Sequence, residues 1–328
     1  MNESAAPAAF ASAHSLPMSF GQLFDRSFRL MHSHLRLFLG IAAVPCGAIF
    51  LLLMPVIGFM LLSIAPHIAD QTAPRQVMPI LVLSILMGIS YLLFPLIYAL
   101  YLPAASYAAT QADLGVAVTF REAYSVAWRR FGRHLWLMIL GSLLMIVPVL
   151  ACVLIVGSGA ILLRYVMGET ALVLIPLAVL LYIAALVYSI LIMLRFSLAY
   201  PVCVVEGRPA WASLKRSAEL TEGAKGRIFL VLLVVYALTY LVSLACIAVF
   251  GVVGALVAIL AILAHVTAGS PAFIVLIALA VLGYFLILVV TGLCSYAAFT
   301  TALAVIYHDQ RLRKDGPPTA PIQAGEAA

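Results

Sequence analysis

The chain has 328 residues, of which 66% are apolar and only 9% are charged, and its formal net charge is +6. A soluble domain has roughly a quarter charged residues, so this composition excludes a soluble globular protein and predicts an all-α integral membrane protein. The positive charge does not indicate a nucleic-acid partner, because basic residues also collect beside membrane headgroups, and here they flank the apolar stretches.

The predicted elements begin with a disordered tail. Residues 1–17 are rich in Ala, Ser and Pro and contain no Lys or Arg, so they lack the basic start of a signal peptide. A transmembrane helix needs about 20 apolar residues. Six stretches reach this length, at 38–63, 79–102, 135–158, 171–194, 228–250 and 272–296.

Two further segments complete the chain. The apolar run 251–265 is too short to cross a membrane comfortably, and we expect an external interfacial or re-entrant helix there. The alternative is that this run extends the fifth helix. Residues 311–328 predict a second disordered tail, which is basic at its start and then rich in Pro and Ala.

The basic residues indicate the orientation of the six predicted spans. If the N-terminus lies inside, all Lys and Arg residues except Arg75 and Arg164 fall in cytoplasmic segments. An excess of Lys and Arg in short cytoplasmic loops is the usual signal of topology. We therefore expect both termini in the cytoplasm.

The polytopic membrane domain, residues 18–310, contains an internal repeat of roughly 90 to 100 residues. Each copy consists of a leading segment and a transmembrane hairpin that ends near an acid. The three copies lie at about 18–113, 118–206 and 209–309, and their acids are Asp113, Glu206 and Asp309. Because each copy holds two crossings, all three have the same orientation, unlike the inverted repeats of many secondary transporters.

The leading segments of the first two copies are amphipathic, and the third, at 210–227, is weaker and more polar. A gap-free offset of 100 pairs Phe20 with Phe120, Phe28 with Trp128, Arg29 with Arg129 and His34 with His134. At about 100° per residue, aromatic residues share one face of each segment and Arg residues lie on the other. Such helices lie in the membrane interface, pack on the ends of the spans, or do both.

The sequence offers no catalytic constellation. No Asp or Glu lies in the middle of a predicted span, and no HExxH, CxxC, P-loop or dinucleotide motif occurs. We therefore predict no catalytic residue, no metal site and no cofactor. Arg29, Arg129 and Arg195 are candidate contacts for anionic lipid headgroups. For Arg195, near the inner end of the fourth span, the favoured alternative is that it reaches the headgroups without specificity or pairs with a carboxylate such as Glu206.

Three further residues are candidates for polar contacts between helices: His34, His134 and Glu206. The two histidines fall on the apolar faces of equivalent helices, where a hydrogen bond to a neighbouring helix is favoured over a metal ligand.

Three segments carry a resemblance to a known family. They are SFGQLFDRSFRLMHSHLRLFLGIA, RFSLAYPVCVVEGRPAWASLKRSAELTEG and TALAVIYHDQRLRKDG. The chain resembles bacterial membrane proteins named after the membrane domain of glycerophosphoryl diester phosphodiesterases, over nearly its whole length beyond the N-terminal tail. In fused members, catalysis resides in a separate soluble barrel with an HRG motif, which this sequence lacks. The resemblance thus implies a protein of the bacterial cytoplasmic (inner) membrane without phosphodiesterase activity.

We expect a non-enzymatic scaffold or accessory protein whose cytoplasmic amphipathic helices contact membrane lipids, including anionic ones, a protein partner or a second copy of the chain. The alternative is a transporter or channel for a small amphiphile or a lipid-derived phosphodiester, with Arg195 at its inner mouth. An intramembrane enzyme is the least favoured class, because the sequence shows no nucleophile, metal cluster or paired acids.

Overall fold

The computed structural model describes residues 17–69, 77–167, 175–267 and 270–316. Within these ranges the chain forms ten α-helices and no strand. In chain order they are α1 (Phe20–Ser33), α2 (Leu35–Ala69), α3 (Val77–Asp113), α4 (Phe120–Arg129), α5 (Phe131–Met167), α6 (Ile175–Phe196), α7 (Ala199–Val205), α8 (Ala210–Thr221), α9 (Lys225–Leu263) and α10 (Pro271–Asp315).

Six of these helices, α2, α3, α5, α6, α9 and α10, are long and apolar enough to cross a membrane. At a rise of about 1.5 Å per residue, the 39 residues of α9 and the 45 residues of α10 exceed the roughly 30 Å of a hydrocarbon core. Large apolar side chains along them are exposed, such as Leu154 and Leu260. Only lipid can cover such a surface, so the chain is an all-α, multi-pass membrane protein.

The expectation of a separate helix at 251–265 is wrong. Helix α9 runs without interruption from Lys225 to Leu263, so this stretch extends the fifth long helix. No proline or charge lies between residues 251 and 263, and nothing ends the helix before the turn at Ala264 and His265. Helix α9 packs on α10 just before this extension, where a Cβ at Gly283 would lie 2.7 Å from Cε2 of Phe250.

Each long hairpin is preceded by a short helix, α1, α4 or α8. The Ser19 hydroxyl caps α1 by accepting the N–H of Gln22, whose side chain accepts the Ser19 N–H in return. The Thr119 hydroxyl caps α4 in the same way, without the reciprocal bond. The leading segments of the first two predicted copies are each divided, because breaks at His34 and Arg130 separate α1 from α2 and α4 from α5.

The three short helices bury corresponding positions against the bundle. These are Leu23 and Ser27 in α1, Ala123 and Ala127 in α4, and Ser213 and Ser217 in α8. Aligning Arg29 with Arg129, and Arg26 with Arg216, places these six residues at the same register along the three helices. The order of one short and two long helices occurs three times, and the sequence repeat behind it stays a prediction.

Helices α6 and α7 are separated by a break at Ser197 and Leu198. Pro201 favours this break, because a proline ring clashes with the carbonyl four residues earlier and proline has no N–H to donate. Helix α8 satisfies the freed backbone groups: the Ser217 hydroxyl donates to the carbonyl of Arg195 at 2.9 Å and accepts the N–H of Leu198 at 3.2 Å.

The buried residues lie mainly at one end of the bundle, which we call the polar end. It holds the starts of α2, α5 and α9, the ends of α3, α7 and α10, and the three short helices. Alanines let α3 and α10 approach closely there: Ala104, Ala105, Ala108 and Ala109 in α3, and Ala297, Ala302 and Ala304 in α10.

The C-terminal tail begins later than predicted. Helix α10 continues to Asp315, so Arg311 and Arg313 are helical. They are stabilised by ion pairs one turn apart, Arg313 with Asp309 and Arg311 with Asp315. The predicted tails otherwise fall on residues 1–16 and 317–328, which lie outside the described part of the chain.

Candidate functional site

The polar end gathers the three acids that close the predicted repeats. The first, Asp113, is the last residue of α3. Nε of Arg26 donates to its Oδ1 at 2.7 Å, and Nδ1 of His308 lies 2.6 Å from its Oδ2. The guanidinium of Arg26 also donates to the backbone carbonyl of Asp113 at 3.2 Å. The Asp113 side chain is only 2% exposed, so the ion pair with Arg26 joins α1 to α3 inside the protein.

The second acid, Glu206, follows α7. Its Oε2 lies 2.7 Å from Nε of Arg208 and 3.7 Å from Nε of Arg216, and its Oε1 accepts the Tyr307 hydroxyl at 3.2 Å. Burial disfavours the charged guanidinium of Arg216, but the hydrogen bond and charge of Asp315, with the charge of Glu206, hold its pKa above the ordinary value. Glu206 therefore links α7 to both α8 and α10.

The third acid, Asp309, contacts the start of the described chain. Its Oδ2 lies 2.9 Å from Nε of Arg313 and 3.3 Å from a terminal nitrogen of Arg227, and its Oδ1 accepts the backbone N–H of Met18 at 2.8 Å. Both arginines also donate to the carbonyl of Met18. The segment that leads into α1 is thus fixed to α9 and α10.

Three consecutive residues of α10 contact the three acid groups. Tyr307 donates a hydrogen bond to Glu206, and His308 contacts Asp113. Asp309 is itself the third acid and forms ion pairs with Arg227 and Arg313. Neighbouring helical residues point about 100° apart, so α10 reaches three sides of the bundle within one turn. Separating the hairpins would break these buried ion pairs and leave uncompensated charges, which is costly in free energy. The three acid groups therefore hold the hairpins together. Nε2 of His308 is buried and has no hydrogen-bond partner in the described residues.

The candidate cations lie apart from this network. The side chain of Arg29 is 75% exposed and pairs with Asp25 one turn away on α1. Arg129, at the end of α4, is exposed. Arg195 is also exposed, and its guanidinium carbon lies 6.0 Å from the ring centre of Phe196. Glu206 pairs with Arg208 and Arg216 rather than with Arg195.

The candidate polar contacts have different surroundings. Nδ1 of His134 lies 3.2 Å from the carbonyl of Ala127, across the break between α4 and α5, and the ring is buried. Nδ1 of His34 lies 2.9 Å from the hydroxyl of Ser33, and its ring packs edge-on against Phe38. His134 and Glu206 therefore contact neighbouring helices, whereas His34 contacts the two turns beside its own break.

The aromatic faces of α1 and α4 are exposed. Phe20 and Phe28 are 40% and 42% exposed, and Phe120 and Trp128 are 43% and 67% exposed. The buried face of α1 holds Leu23, Ser27 and Leu30, and that of α4 holds Ala123 and Ala127. Each helix thus has three sides: a side without aromatic residues that packs on the bundle, an exposed aromatic side, and a polar side with Arg29 or Arg129.

The acids of the network can be identified from the sequence, but most of their partners cannot. Arg26 and Arg216 are basic residues at matching positions of the predicted repeat, and Arg227 is a basic residue of a cytoplasmic segment. None of these arginines, nor Tyr307 or His308, was predicted as a partner of an acid. The sequence feature that could have indicated these partners is the run Tyr307–His308–Asp309 near the end of a long apolar helix. Three consecutive polar side chains there need hydrogen-bond or ion-pair partners if they are buried. Among the described residues, no group of three His, Cys, Asp or Glu side chains is placed to hold a metal ion.

No protein-family model, curated protein or solved structure matches the chain.

Proposed function

We propose that the protein is a non-enzymatic scaffold or accessory protein of the bacterial inner membrane, which contacts lipids through α1 and α4. The observation that carries this proposal is the open aromatic side of both helices, with Trp128 67% exposed. A helix with aromatic residues on one side and Arg on another lies in the interface, where the rings enter the acyl boundary and the cations face the headgroups.

The acids support the same proposal. Asp113, Glu206 and Asp309 all contact arginine side chains, and the Asp113 and Asp309 side chains are 2% and 0% exposed. Carboxylates engaged in this way are poorly suited to proton transfer or substrate binding, because breaking the pairs strands buried charges. The excess of Lys and Arg around the polar end favours its location on the cytoplasmic side, with both termini there.

The family resemblance agrees with this proposal. We propose membership of the bacterial membrane proteins named after the glycerophosphoryl diester phosphodiesterase membrane domain, without phosphodiesterase activity. The segments that carry the resemblance include α1 and the row Tyr307–His308–Asp309, which meet at the polar end. Protein partners are a further part of the proposal, since an accessory protein acts through them.

The test uses the double variant Arg29→Glu with Arg129→Glu, reconstituted with spin-labelled phosphatidylglycerol and phosphatidylcholine. The native protein should immobilise the anionic lipid in preference to the zwitterionic one, and the variant should lose that preference, because each interfacial cation contributes about 1 kcal/mol of attraction. The double variant Lys215→Glu with Lys314→Glu has the same change in charge on exposed residues outside α1 and α4 and should retain the preference. Equal behaviour of the two double variants would argue against the proposal.

A second candidate function is a carrier for a small amphiphile, favoured by the exposed Arg195 beside the break between α6 and α7. Discontinuous helices form substrate sites in many transporters. This candidate predicts uptake of a glycerophosphodiester into proteoliposomes that is lost in Arg195→Ala. Uptake no faster than into protein-free vesicles would rule out the carrier function.

A further inference from the structure

An apolar groove of about 310 Å³ lies between α1, α9 and α10. α1 closes it at the polar end, and α9 and α10 form its walls. Side chains that line it include Phe24, Phe28, Met31, Leu238, Val242 and Cys294.

The hydroxyl groups in this groove are already engaged. Thr239, Thr291, Ser295 and Thr301 line the walls, and each donates to a carbonyl of its own helix. A hydroxyl bonded to its own helix offers no further donor. The groove therefore presents carbon surface and favours an occupant that is hydrocarbon rather than a polar solute.

The length of the groove indicates what that hydrocarbon is. Its lining on α10 runs from Thr291 to Thr301, a distance of about 15 Å at the α-helical rise. This is half of a hydrocarbon core of roughly 30 Å, which is the depth of one leaflet. Both walls belong to helices that are long and apolar enough to cross the membrane, so the groove opens onto acyl chains.

We propose that the groove binds one acyl chain of a phospholipid from the leaflet at the polar end, with the headgroup beside α1. Arg29 on α1 and Arg36 at the start of α2 are exposed cations at the same end of the bundle. This inference rests on the proposed function and deepens it, because it names the lipid that α1 holds and the place where its chain lies.

The test is native mass spectrometry of the protein released from detergent, after incubation with phosphatidylglycerol or with phosphatidylethanolamine. Cys294 is exposed and lines the groove, so Cys294→Trp fills it without displacing the core. Val290 is 51% exposed on the same helix and does not line the groove, so Val290→Trp is the matched control. Excluding two methylene groups from an apolar site costs about tenfold in affinity, so Cys294→Trp should lower the population with one bound phospholipid at least about tenfold. Val290→Trp should behave like the native protein.

Retention of the phospholipid by Cys294→Trp at the native level, equal loss in both variants, or no retention by the native protein would each overturn the inference. If Cys294→Trp aggregates on size exclusion, Leu238→Trp on the opposite wall replaces it, with the same expected loss. The comparison of the two probe lipids shows whether the headgroup charge contributes. The variant Arg29→Glu with Arg129→Glu separates the two proposals: if it loses anionic preference while Cys294→Trp keeps its phospholipid, the groove is refuted and the interfacial role stands.

Discussion

Replacing Asp113 with Ala should destabilise the protein far more than replacing any exposed acid. The Asp113 carboxylate is 2% exposed and is the partner of Arg26 and His308. Its loss leaves a largely buried guanidinium without its carboxylate, which typically costs about 3–5 kcal/mol. Because the Arg26 side chain remains 22% exposed and keeps its bond to a backbone carbonyl, we expect the lower end, about 3 kcal/mol.

The matched control for this prediction is Asp25→Ala. Asp25 pairs with Arg29 on the same helix as Arg26, but the two side chains are 67% and 75% exposed, and such a pair contributes roughly 0.3–0.5 kcal/mol. The assay is unfolding of both variants in mixed micelles, followed by tryptophan fluorescence, with Arg26→Ala added to complete a double-mutant cycle. Equal destabilisation by Asp113→Ala and Asp25→Ala, or a coupling near zero between Asp113 and Arg26, would refute the assignment of Asp113 as a buried link.

Two further predictions concern helix packing. Ser217→Ala should lower the free energy of unfolding by about 1–3 kcal/mol, because the N–H of Leu198 loses its acceptor in the buried break. The control Ser125→Ala removes an exposed hydroxyl and should change this free energy little. Similar values for the two variants in the same micelle titration would contradict the role of Ser217. Gly283→Leu should lower the Tm, because the new side chain meets the ring of Phe250 on α9. The control Gly254→Leu places its side chain in open space and should leave the Tm nearly unchanged. The reverse order of Tm values would show that α9 and α10 do not pack at Gly283.

The six long helices could be predicted from the sequence because their apolar runs satisfy a local length condition. The ends of these helices could not. The prediction of a separate helix at 251–265 rests on the length of a membrane crossing. The thickness of the hydrocarbon core sets that length, but it does not limit how far a helix can extend beyond the membrane. Without a proline or a charge, α9 continues until the turn at His265.

The polar network was only partly predictable for a different reason. The acids were found because each closes a repeat, but Arg26 and Asp113 are 87 residues apart, and Tyr307 and Glu206 are 101 apart. Such partners depend on how the hairpins pack, which no local pattern specifies. Charge balance gave only the weaker expectation that a carboxylate near Arg195 pairs with it, and Glu206 is engaged by Arg208 and Arg216.

The break between α6 and α7 has a signal in the sequence. Pro201 lies four residues after Ser197, and in a regular helix the ring of a proline clashes with the carbonyl group four residues earlier. Proline alone does not decide the outcome, since Pro95 and Pro103 lie inside α3 without ending it. At Pro201 the hydroxyl of Ser217 is available to satisfy the freed backbone, and this tertiary contact is invisible in the sequence.

The most direct test of the interfacial position of α4 is the fluorescence of Trp128 in a bilayer. The chain has three tryptophans, so Trp136→Phe with Trp211→Phe leaves Trp128 as the single reporter. In vesicles with phospholipids brominated at different depths, bromine near the headgroup end of the acyl chain should quench Trp128 more strongly than bromine near the chain terminus, and aqueous iodide should quench it weakly. Strong quenching by iodide with none by any brominated lipid would place Trp128 in water and contradict the lipid-contacting role of α4.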